Sequence, residues 1–494
     1  MCDSVPVARS RHNGSFGFDC SNLSDAARSD RVSLTRPRPY LKNNDAHAHS
    51  KVAKSASLGR HHVFLKNHSG CTRCTIFLAL YLVGVAVTTT TAVAEDWPQW
   101  RGPNRDGISQ EKGLLQEWPE QGPKPVWQKQ DLGDGYSTPA IADGRIFFIS
   151  NKGLEDESVH ALNEQDGSPL WSTRIGKVGK PDQKPPYPAA RSTPTVDGKM
   201  IYALGSDGDL ACLDAAKGEV LWKKNLPTDF NGDSGTWAYA ESPLVDGDAV
   251  VVTPGGKDAT LLALNKKNGE VIWKGVVPEG DAAAYASIII VNAAGHKQYV
   301  QFLAKGVVGI DARTGKFLWR YDRTAQGSPA NIATPIEKDG YIYTGTHYAG
   351  GGTIKLSADG DGVKYDEVYF DKKLPTAIGG AVLVGDFMYG TSRELTLCVN
   401  FKTGELKWTK ERAVSPAAIL YADGRLYLHG EKEGDVALLE ASPNGYKEVG
   451  HFTPANLPEK RTGNAWQYPV VANGRLYIPD WGMLSCYDIK AAAK

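Results

Sequence analysis

The chain has 494 residues, with 53 glycines, 12 tryptophans and 21 tyrosines but only 4 methionines. This profile favours many short strands and turns over long helices, and the length suffices for several small domains or one large repeat array. The 56 Lys and Arg residues balance the 56 Asp and Glu residues. Because the basic excess lies before residue 75, the rest of the chain is mildly acidic, which argues against a nucleic-acid-binding surface.

The first 75 residues form an N-terminal extension, of which residues 1–60 are rich in Ser, Arg, Asn and His and show no apolar periodicity. Such a composition is typical of a disordered extension. A second interpretation stays open, in which translation starts later, at Val63 or Leu65, and residues 1–62 are not made. Neither interpretation assigns a folded domain to this part of the chain.

An uncharged segment follows at residues 76–94. Its apolar run is too short to span a membrane comfortably, basic residues precede it, and Ala92-Val-Ala94 places small residues at the two positions that signal peptidase reads. We predict a secretory signal peptide cleaved before Glu95, with an uncleaved membrane anchor as the alternative. No cysteine follows the run closely, which argues against a lipid-anchored lipoprotein. The protein is therefore expected in the periplasm or cell envelope.

Beyond residue 124 the sequence repeats itself in register. The first motif is an apolar residue followed by Asp or Asn, then Gly four positions later and Trp four positions after the Gly. Its clearest copy runs from Asp311 through Gly315 to Trp319. Weaker copies place Val368 and Val449 at the tryptophan position. The tryptophans assigned to this position are Trp127, Trp171, Trp222, Trp273, Trp319 and Trp408.

A second motif, Pro, then Asp-Gly or Asn-Gly, then an apolar–aromatic pair, alternates with the first. It occurs eight times, and its glycines are 39 to 54 residues apart, the spacing of propeller blades. Asp-Gly between two apolar runs is a strong hairpin signal, so each repeat supplies four antiparallel strands. The tryptophan on the fourth strand is expected to wedge between neighbouring blades as a structural residue rather than to stack on a ligand.

The two ends of the repeat region complement each other. The chain ends in a third strand near residues 484–488 that has no fourth strand after it, while residues 124–129 resemble an isolated fourth strand. We predict an all-β fold, an eight-bladed β-propeller of four-stranded antiparallel blades over residues 124–494. The N-terminal strand closes the ring and thereby removes an open sheet edge. A leader at residues 95–123 precedes it.

Three cysteines remain in the predicted mature chain, Cys212, Cys398 and Cys486. They occupy equivalent positions in apolar strands, where a free cysteine behaves as a small hydrophobe. Because their number is odd and the compartment is oxidising, a disulfide framework is not expected.

These repeats resemble the PQQ-like, or quinoprotein-type, propeller family over residues 124–489, with the docking pattern matched by Asp311-Ala-Arg-Thr-Gly315-Lys-Phe-Leu-Trp319. The leader, with Trp97-Pro-Gln-Trp100-Arg101-Gly-Pro-Asn-Arg105, is similar to the segment that opens many exported members of the family. Tyr239-Ala-Glu241-Ser-Pro243 is also typical of that subgroup. We expect the leader to cap one face of the ring.

The family has two functional branches. Quinoprotein dehydrogenases hold PQQ and calcium on the propeller axis, commonly with an adjacent cysteine pair, and the predicted mature chain has no such pair. The other branch resembles BamB, an outer-membrane assembly factor that works as a scaffold without a cofactor, although BamB-like lipoproteins carry a lipid-anchored cysteine that is absent here. The resemblance alone does not choose between the branches.

Loops that join a fourth strand to the next first strand gather on one face of a propeller, where ligands bind. Several of these loops are long and aromatic, and together they are expected to line a funnel for a peptide, a sugar or a small ring, unless they only fill the mouth of the channel. The candidate side chains are Tyr187, Arg191, Trp237, Tyr239, Glu241, Arg323, Asn331, Arg461, Trp466 and Tyr468.

A weak calcium candidate lies at Asp229, Asn231 and Asp233, where oxygen-bearing side chains alternate. The glycine and the final acidic residue of a calcium loop are missing, so a turn is the preferred interpretation. The sequence shows no catalytic triad and no nucleotide-binding motif in a suitable context. Cys71 and Cys74 have zinc-like spacing but no second ligand pair, and the histidines have no zinc-type spacing.

The leading hypothesis is an exported, non-catalytic, monomeric scaffold that binds a protein or envelope partner, with no cofactor expected and with membrane association only through the signal or an anchor. A PQQ- and calcium-dependent oxidoreductase acting on alcohols or sugars is the first alternative. A carbohydrate-binding module is the second.

Overall fold

The computed structural model of the protein describes residues 95–411, 414, 416–458 and 464–492. The predicted N-terminal extension and the signal peptide with its cleavage site lie outside these residues. In the described part of the chain no helix is long and apolar enough to cross a membrane.

Eight antiparallel sheets, the blades, follow one another along the chain, so the predicted all-β, eight-bladed propeller is confirmed. Strands β1 (Ile108–Ser109) and β2 (Lys124–Lys129) precede them. Blades 1 to 4 contain β3–β6 (Ala140–Ala142, Arg145–Lys152, Asp156–Asn163, Pro169–Gly176), β7–β10 (Thr195–Asp197, Met200–Leu204, Asp209–Asp214, Val220–Asn225), β11–β14 (Leu244–Asp246, Ala249–Val252, Leu261–Asn265, Val271–Gly275) and β15–β18 (Ile289–Ala293, His296–Phe302, Val307–Asp311, Phe317–Tyr321).

The second half of the ring has the same organisation. Blades 5 to 8 contain β19–β22 (Ile336–Lys338, Tyr341–Thr346, Gly350–Asp359, Gly362–Asp371), β23–β26 (Ala381–Val384, Phe387–Thr391, Leu395–Asn400, Leu406–Glu411), β27–β30 (Ala417–Ala422, Arg425–Gly430, Val436–Glu440, Glu448–Phe452) and β31–β33 (Val470–Ala472, Arg475–Asp480, Met483–Asp488). A short helix, α1 (Leu226–Phe230), and a 3-10 turn (Arg323–Ala325) lie between blades. First strands of neighbouring blades contact one another, so they line the axis and the fourth strands lie outermost.

Because antiparallel strands alternate in direction, the connections divide between two faces. We call the face with the first-to-second and third-to-fourth strand connections, such as 143–144 and 164–168, the turn face. The opposite face, with connections such as 177–194 and 347–349, is the loop face.

The Asp-Gly pairs of the second motif are explained by the backbone of the first turn. Asp143 and Gly144 have φ values of 51° and 70°, and a two-residue hairpin turn of type I′ requires positive φ at both positions. Asp, Asn and Gly tolerate this left-handed backbone better than other residues. The turn fixes the register in which Ala142 pairs with Arg145.

The Asp-x-x-x-Gly spacing of the first motif is explained by the second turn. In blade 2 the Asp214 carboxylate accepts hydrogen bonds of 2.9 Å from the backbone N–H groups of Ala216 and Lys217, and Gly218 N–H donates to the Asp214 carbonyl at 2.8 Å. Gly218 has a φ of 74° and faces the Trp171 ring of blade 1, where an added Cβ would lie 2.5 Å from a ring carbon. Glycine is therefore required by both the backbone and the tryptophan.

The docking tryptophans join one blade to the next. Trp171 lies on the fourth strand of blade 1, and its Nε1 donates to the Ala215 carbonyl of blade 2 at 3.2 Å. Equivalent bonds link Trp127, Trp222, Trp273 and Trp408 to the carbonyls of Glu164, Lys266, Ala312 and Ser442. Each such ring buries a large apolar surface between blades while its polar N–H stays satisfied.

Trp319 departs from this pattern. Its Nε1 donates to Gln298 Oε1 within its own blade at 2.6 Å. The following hairpin, β21–β22, has strands of ten residues, and its Tyr365 packs edge-on against Trp319 with ring centroids 6.3 Å apart. The lengthened hairpin thus replaces the usual docking turn.

The two weaker copies of the first motif need a correction of one residue. Tyr369, not Val368, takes the tryptophan position in blade 5, and its hydroxyl donates to a backbone carbonyl of blade 6 at 2.8 Å. In blade 7 the position belongs to Gly450 rather than Val449, and Trp118 of the leader fills the space beside it. The fixed spacing of the motif fails here because the two hairpins differ in length. β21 and β22 are extended in blade 5, and the third-to-fourth strand connection of blade 7 spans 441–447, longer than 164–168 in blade 1.

The predicted closure of the ring is confirmed. β2 pairs antiparallel with β33, with Trp127 opposite Cys486, and so becomes the fourth strand of blade 8. Only the first and last segments of the repeat region together complete this blade, which leaves no blade with an exposed third strand.

The expected capping of one face is found for only part of the leader. Residues 112–118 cross the turn face, where Leu114 N–H donates to the Asp423 carboxylate at 3.0 Å and Arg425 Nε donates to the Gln116 carbonyl at 2.9 Å.

The preceding residues of the leader enter the central channel. Trp97 exchanges two backbone hydrogen bonds of 2.8 Å with Ile141 on the channel edge of β3, and the Pro98 carbonyl accepts from Val196 of β7 at 2.8 Å. Further along, β1 pairs in parallel with β27. First strands have no other strand on their channel side, so the leader supplies partners for their backbone groups.

Two buried arginines of the leader bond to other first strands. Arg105 donates to the Ser242 and Pro243 carbonyls at 2.7 and 3.0 Å, and Arg101 donates to the Ala381 carbonyl at 2.6 Å. A guanidinium has five donors and so suits a cluster of carbonyls that no strand can pair.

Both ends of the channel segment lie at the turn face. The Asp96 carboxylate accepts from Asp143 N–H at 3.2 Å, and the Glu111 carboxylate accepts from Asn473 N–H at 2.7 Å. Between them, Trp100 reaches the loop face, where its Nε1 donates to Thr334 Oγ1 at 2.9 Å. Residues 96–111 therefore run up the channel and back, and we call them the plug.

The three cysteines of the blades are buried and free, as expected. Each lies directly across from a tyrosine on the second strand of its blade, as Cys212 does from Tyr202. Burial raises the pKa of the Cys212 and Cys398 thiols to about 11 and of Cys486 to about 12. They act as apolar packing residues.

Candidate functional site

A cavity of about 670 Å³ opens on the loop face. Its walls come from connections between fourth and first strands and between second and third strands. This size suits a small ligand or a short segment of peptide. The side chains lining it include Trp100, Tyr136, Tyr187, Arg191, Trp237, Tyr285, Ile332, His347, Tyr348, Ile378, Arg393, Glu394, Glu431, Lys432, Trp466 and Tyr468.

One side of the cavity is aromatic. Trp466 packs against Tyr136 and Tyr187, with ring centroids 4.9 and 5.1 Å apart. Trp237 packs against Tyr285 at 6.1 Å, and the Tyr285 hydroxyl accepts a hydrogen bond of 2.8 Å from Trp237 N–H. The rings support one another, so this wall is built before any ligand arrives.

Arg191 lies among these rings. Its Nε donates to the Ala189 carbonyl at 3.3 Å, and a terminal nitrogen donates to the Tyr187 carbonyl. Burial lowers the pKa of the guanidinium, against the opposing influence of Tyr136, Tyr285 and Glu157. The cavity thus contains a positive charge in a partly desolvated, aromatic setting.

A buried carboxyl group lies behind Arg191. Glu157 is fully buried, and its carboxylate accepts from the Ser206 N–H at 2.9 Å and from the Ser206 hydroxyl at 2.9 Å. Burial raises the pKa of Glu157 to about 7, with Asp209 contributing in the same direction. Glu157 therefore titrates near neutral pH without facing the cavity.

The plug forms part of the cavity floor. Trp100 packs edge-on against Tyr468 with ring centroids 4.7 Å apart, and the Tyr468 hydroxyl donates to the Ile378 carbonyl at 3.2 Å. Arg101 of the plug lies 5.6 Å from the centroid of the same tyrosine. The cavity is therefore a blind recess rather than the mouth of an open channel.

Charged side chains stand at the rim. Glu431 accepts hydrogen bonds from Trp466 Nε1 and from Asn464 Nδ2, the latter at 3.1 Å, and burial raises its pKa above the ordinary value. Arg393 and Glu394 are exposed on the neighbouring blade. Glu431 thus holds the connection that carries Trp466.

Five of the predicted funnel residues line the cavity, namely Tyr187, Arg191, Trp237, Trp466 and Tyr468. Arg461 lies outside the described residues. The other four lie elsewhere and have structural contacts instead.

Tyr239, Asn331 and Arg323 do not line the cavity. The Tyr239 hydroxyl donates to a backbone carbonyl, that of Pro254, at 2.7 Å, and Asn331 Nδ2 donates to the Leu303 carbonyl at 2.7 Å. Arg323 pairs with a glutamate of β22 and stacks on Phe370, 4.0 Å from its ring centroid. The position of a residue in a loop was therefore not enough to predict whether its side chain lines the cavity or bonds to the neighbouring blades.

Glu241 belongs to the channel wall. It accepts from Thr253 Oγ1 at 2.7 Å and from Gln301 Nε2 at 2.9 Å. Burial raises its pKa to about 7, while attraction from Arg105 opposes the shift; burial lowers the pKa of Arg105 to about 10. The leader and residues 239–243, both typical of the subgroup, therefore meet in the channel. Arg105 donates to the Ser242 and Pro243 carbonyls and is attracted by Glu241, which anchors the plug.

Several cavity residues were not predicted. Tyr136 precedes Ser-Thr-Pro just as Arg191 does, so comparison of repeats in register could have identified it. Tyr285 occupies a related loop position in blade 4. Trp100 had no such signal, because nothing in the leader repeats.

The weak calcium candidate is a helix end. Asp229 accepts from Asn225 N–H at 2.9 Å, Asn231 has the left-handed backbone of a helix C-cap, and Asp233 accepts from Gly235 N–H at 3.0 Å. Among the described residues, no group of three or more His, Cys, Asp or Glu side chains is placed to hold a metal ion.

Fold, repeats and cavity together define a class, the eight-bladed PQQ-like β-propellers with a closed channel and a recess on one face. A sequence model of the family described as outer membrane protein assembly factor BamB matches residues 155–410. The chain belongs to this family, in agreement with the resemblance of its repeats.

Individual relatives are distant. The outer membrane protein assembly factor BamB of Salmonella typhimurium is 28% identical over 141 residues, which are 28% of this chain and 31% of that protein; the chain thus spans about a third of that relative's length. The crystal structure of BamB from Moraxella catarrhalis shares 18% identity with a TM-score of 0.51, covering 75% of this chain and 98% of that one. Quinohemoprotein alcohol dehydrogenase from Comamonas testosteroni shares 13% identity with a TM-score of 0.54, covering 81% of each chain. These structural likenesses show the fold alone.

Proposed function

We propose that the protein is an exported, monomeric, non-catalytic scaffold that binds a protein partner of the cell envelope through the cavity on the loop face. The observation that carries this proposal is the preformed aromatic wall around Arg191. Tyr, Trp and Arg side chains dominate protein recognition sites, because they provide large contact areas at low entropic cost. Membership of a family described by an assembly factor supports a protein partner.

The alternative is a PQQ-dependent oxidoreductase, which the likeness to an alcohol dehydrogenase keeps open. The residues present do not fit a calcium-bound quinone on the axis as the resemblance describes it. The plug fills the axis, and Cys212, Cys398 and Cys486 lie buried in three different blades. The described residues also bring together no acidic cluster for calcium.

Crosslinking in the producing cell tests the proposal. The full chain with an affinity tag should capture an envelope protein, and the double variant Trp237→Ala/Trp466→Ala should lose it. The double variant Leu221→Ala/Ile272→Ala is the matched control, since both side chains are apolar and half exposed on outermost strands. If only the control variant lost the partner, the binding site would lie on the outermost strands and not in the cavity. Absence of any crosslinked protein would contradict the scaffold function.

A thermal shift measurement tests the alternative. Addition of PQQ and calcium should leave the melting temperature unchanged. A ligand present at 100 times its dissociation constant adds about 2.7 kcal/mol of stability, so a cofactor of the protein would raise the melting temperature clearly. Such a rise, together with reduction of a dye by alcohols or sugars, would establish an oxidoreductase instead.

A further inference from the structure

Arg191 has no anionic partner in direct contact, and its electrostatic interaction with Glu157 acts beyond ion-pair distance. It forms none of the ion pairs within 4.0 Å among the described residues. Its two hydrogen bonds use Nε and one terminal nitrogen, and both acceptors are neutral carbonyls. A partly buried charge without a carboxylate in contact gains most from a ligand carboxylate, which can accept two parallel N–H bonds.

The far side of the cavity has an aliphatic patch next to the exposed side chains of His347, Tyr348, Arg393 and Glu394. Pro329, Ala330, Ile332 and Ala333 line it before blade 5, and Ala377 and Ile378 line it before blade 6. Arg191 begins blade 2, so these residues stand roughly opposite in a ring of eight blades. The cavity therefore offers an anion site on one side and an apolar site on the other.

The recess also restricts how a chain can enter. The plug closes the channel beneath it through Trp100 and Tyr468. A peptide that passes through the ring needs an open channel, which the plug occupies, whereas the end of a chain needs only one opening. A free C-terminus also presents a carboxylate next to its last side chain.

We propose that the cavity binds the C-terminal end of a partner protein, with the terminal carboxylate on Arg191 and an apolar last side chain against Ile332 and Ile378. This inference rests on the proposed function and specifies which part of the partner is recognised. The Tyr136, Tyr187 and Trp466 rings would cover the residues that precede the chain end.

Paired peptide arrays test the inference. Random hexapeptides are displayed with free C-terminal carboxylates on one array and as the same sequences with C-terminal carboxamides on the other, and both are probed with the labelled full chain. Binding is expected on the carboxylate array, with apolar last residues enriched, and at least tenfold weaker on the carboxamide array, because a charge-assisted pair is removed. Equal binding to both arrays, or binding to neither, would overturn the inference.

Variants assign the effect to Arg191. Arg191→Gln should weaken binding of the best carboxylate peptide at least tenfold, and Arg191→Lys should retain part of it. Arg313→Gln, at an exposed arginine of the turn face between β17 and β18, should change it less than threefold. Melting temperatures establish that each variant is folded. Binding by Arg191→Gln equal to that of the unchanged protein would contradict the inference. If the arrays fail while the Trp237→Ala/Trp466→Ala variant still loses its crosslinked partner, the scaffold function stands and only the chain-end ligand is wrong.

Discussion

The turn face and the loop face of the ring differ in how much of their structure repeats. On the turn face, the same pair of turns recurs from blade to blade, and docking tryptophans hold neighbouring blades together. On the loop face, the connections differ in length, although Tyr136 and Arg191 occupy the same position before Ser-Thr-Pro. Aromatic rings, Arg191 and the plug meet there around a recess. The difference indicates that residues shared by the repeats maintain the ring, whereas residues that vary between the repeats line the candidate site.

The largest loss of stability is expected from deletions in the N-terminal segment, which contributes both the plug beneath the cavity and the closing strand β2. Deletion of residues 95–130 removes both the plug and β2, so blade 8 loses its fourth strand and the cooperative unfolding transition should disappear. Deletion of residues 95–111 alone removes the plug but keeps β2, and it should lower the melting temperature while leaving a cooperative transition. Circular dichroism during heating measures both, and an unchanged melting temperature for the longer deletion would refute the closed ring.

A smaller effect tests the docking turns. Gly218→Ala places a Cβ 2.5 Å from the Trp171 ring at a φ of 74°, so overpacking and backbone strain together should cost about 2–4 kcal/mol of unfolding free energy. Gly247→Ala is the matched control, since its φ of 59° is also left-handed but nothing lies within 4 Å of the added Cβ. Strain alone should cost about 1–2 kcal/mol there. Equal losses in urea unfolding would show that docking contributes nothing.

The smallest effect concerns the carboxyl group behind the cavity. Because burial raises the pKa of Glu157 to about 7, the folded protein binds its proton more tightly than the unfolded chain. The stability gained from this proton is fully present below the ordinary pKa and is lost as pH rises through about 7. The unfolding free energy of the protein relative to Glu157→Gln should therefore fall, on the order of 1–3 kcal/mol, between pH 4.5 and 8. A difference that is constant or rises over this range would mean that Glu157 is stabilised in its charged form.

The same contrast explains what could be predicted from the sequence. The blades, their turns and the closing strand follow from motifs that recur, so position in the repeat determines structure. Where the motif lacks its tryptophan, hairpins of different length moved the assignment from Tyr369 and Gly450 to the preceding valines. In the loops, the sequence identified Tyr187 and Arg191, but it could not show that Tyr239 and Glu241 turn inward, because long-range partners such as Pro254 and Gln301 determine their orientation. The position of the plug in the channel could not be predicted from the sequence, because the first strands that bind it lie far along the chain.

The measurement that tests the account most directly compares one tryptophan from each face. Trp222→Ala removes a docking ring of the turn face and should lower stability by about 3 kcal/mol or more, while the variant, assayed below its melting temperature, still captures the envelope partner. Trp237→Ala removes a ring of the cavity wall and should leave the melting temperature nearly unchanged while partner capture is lost. Loss of capture by Trp222→Ala together with full capture by Trp237→Ala would contradict the assignment of stability to one face and binding to the other.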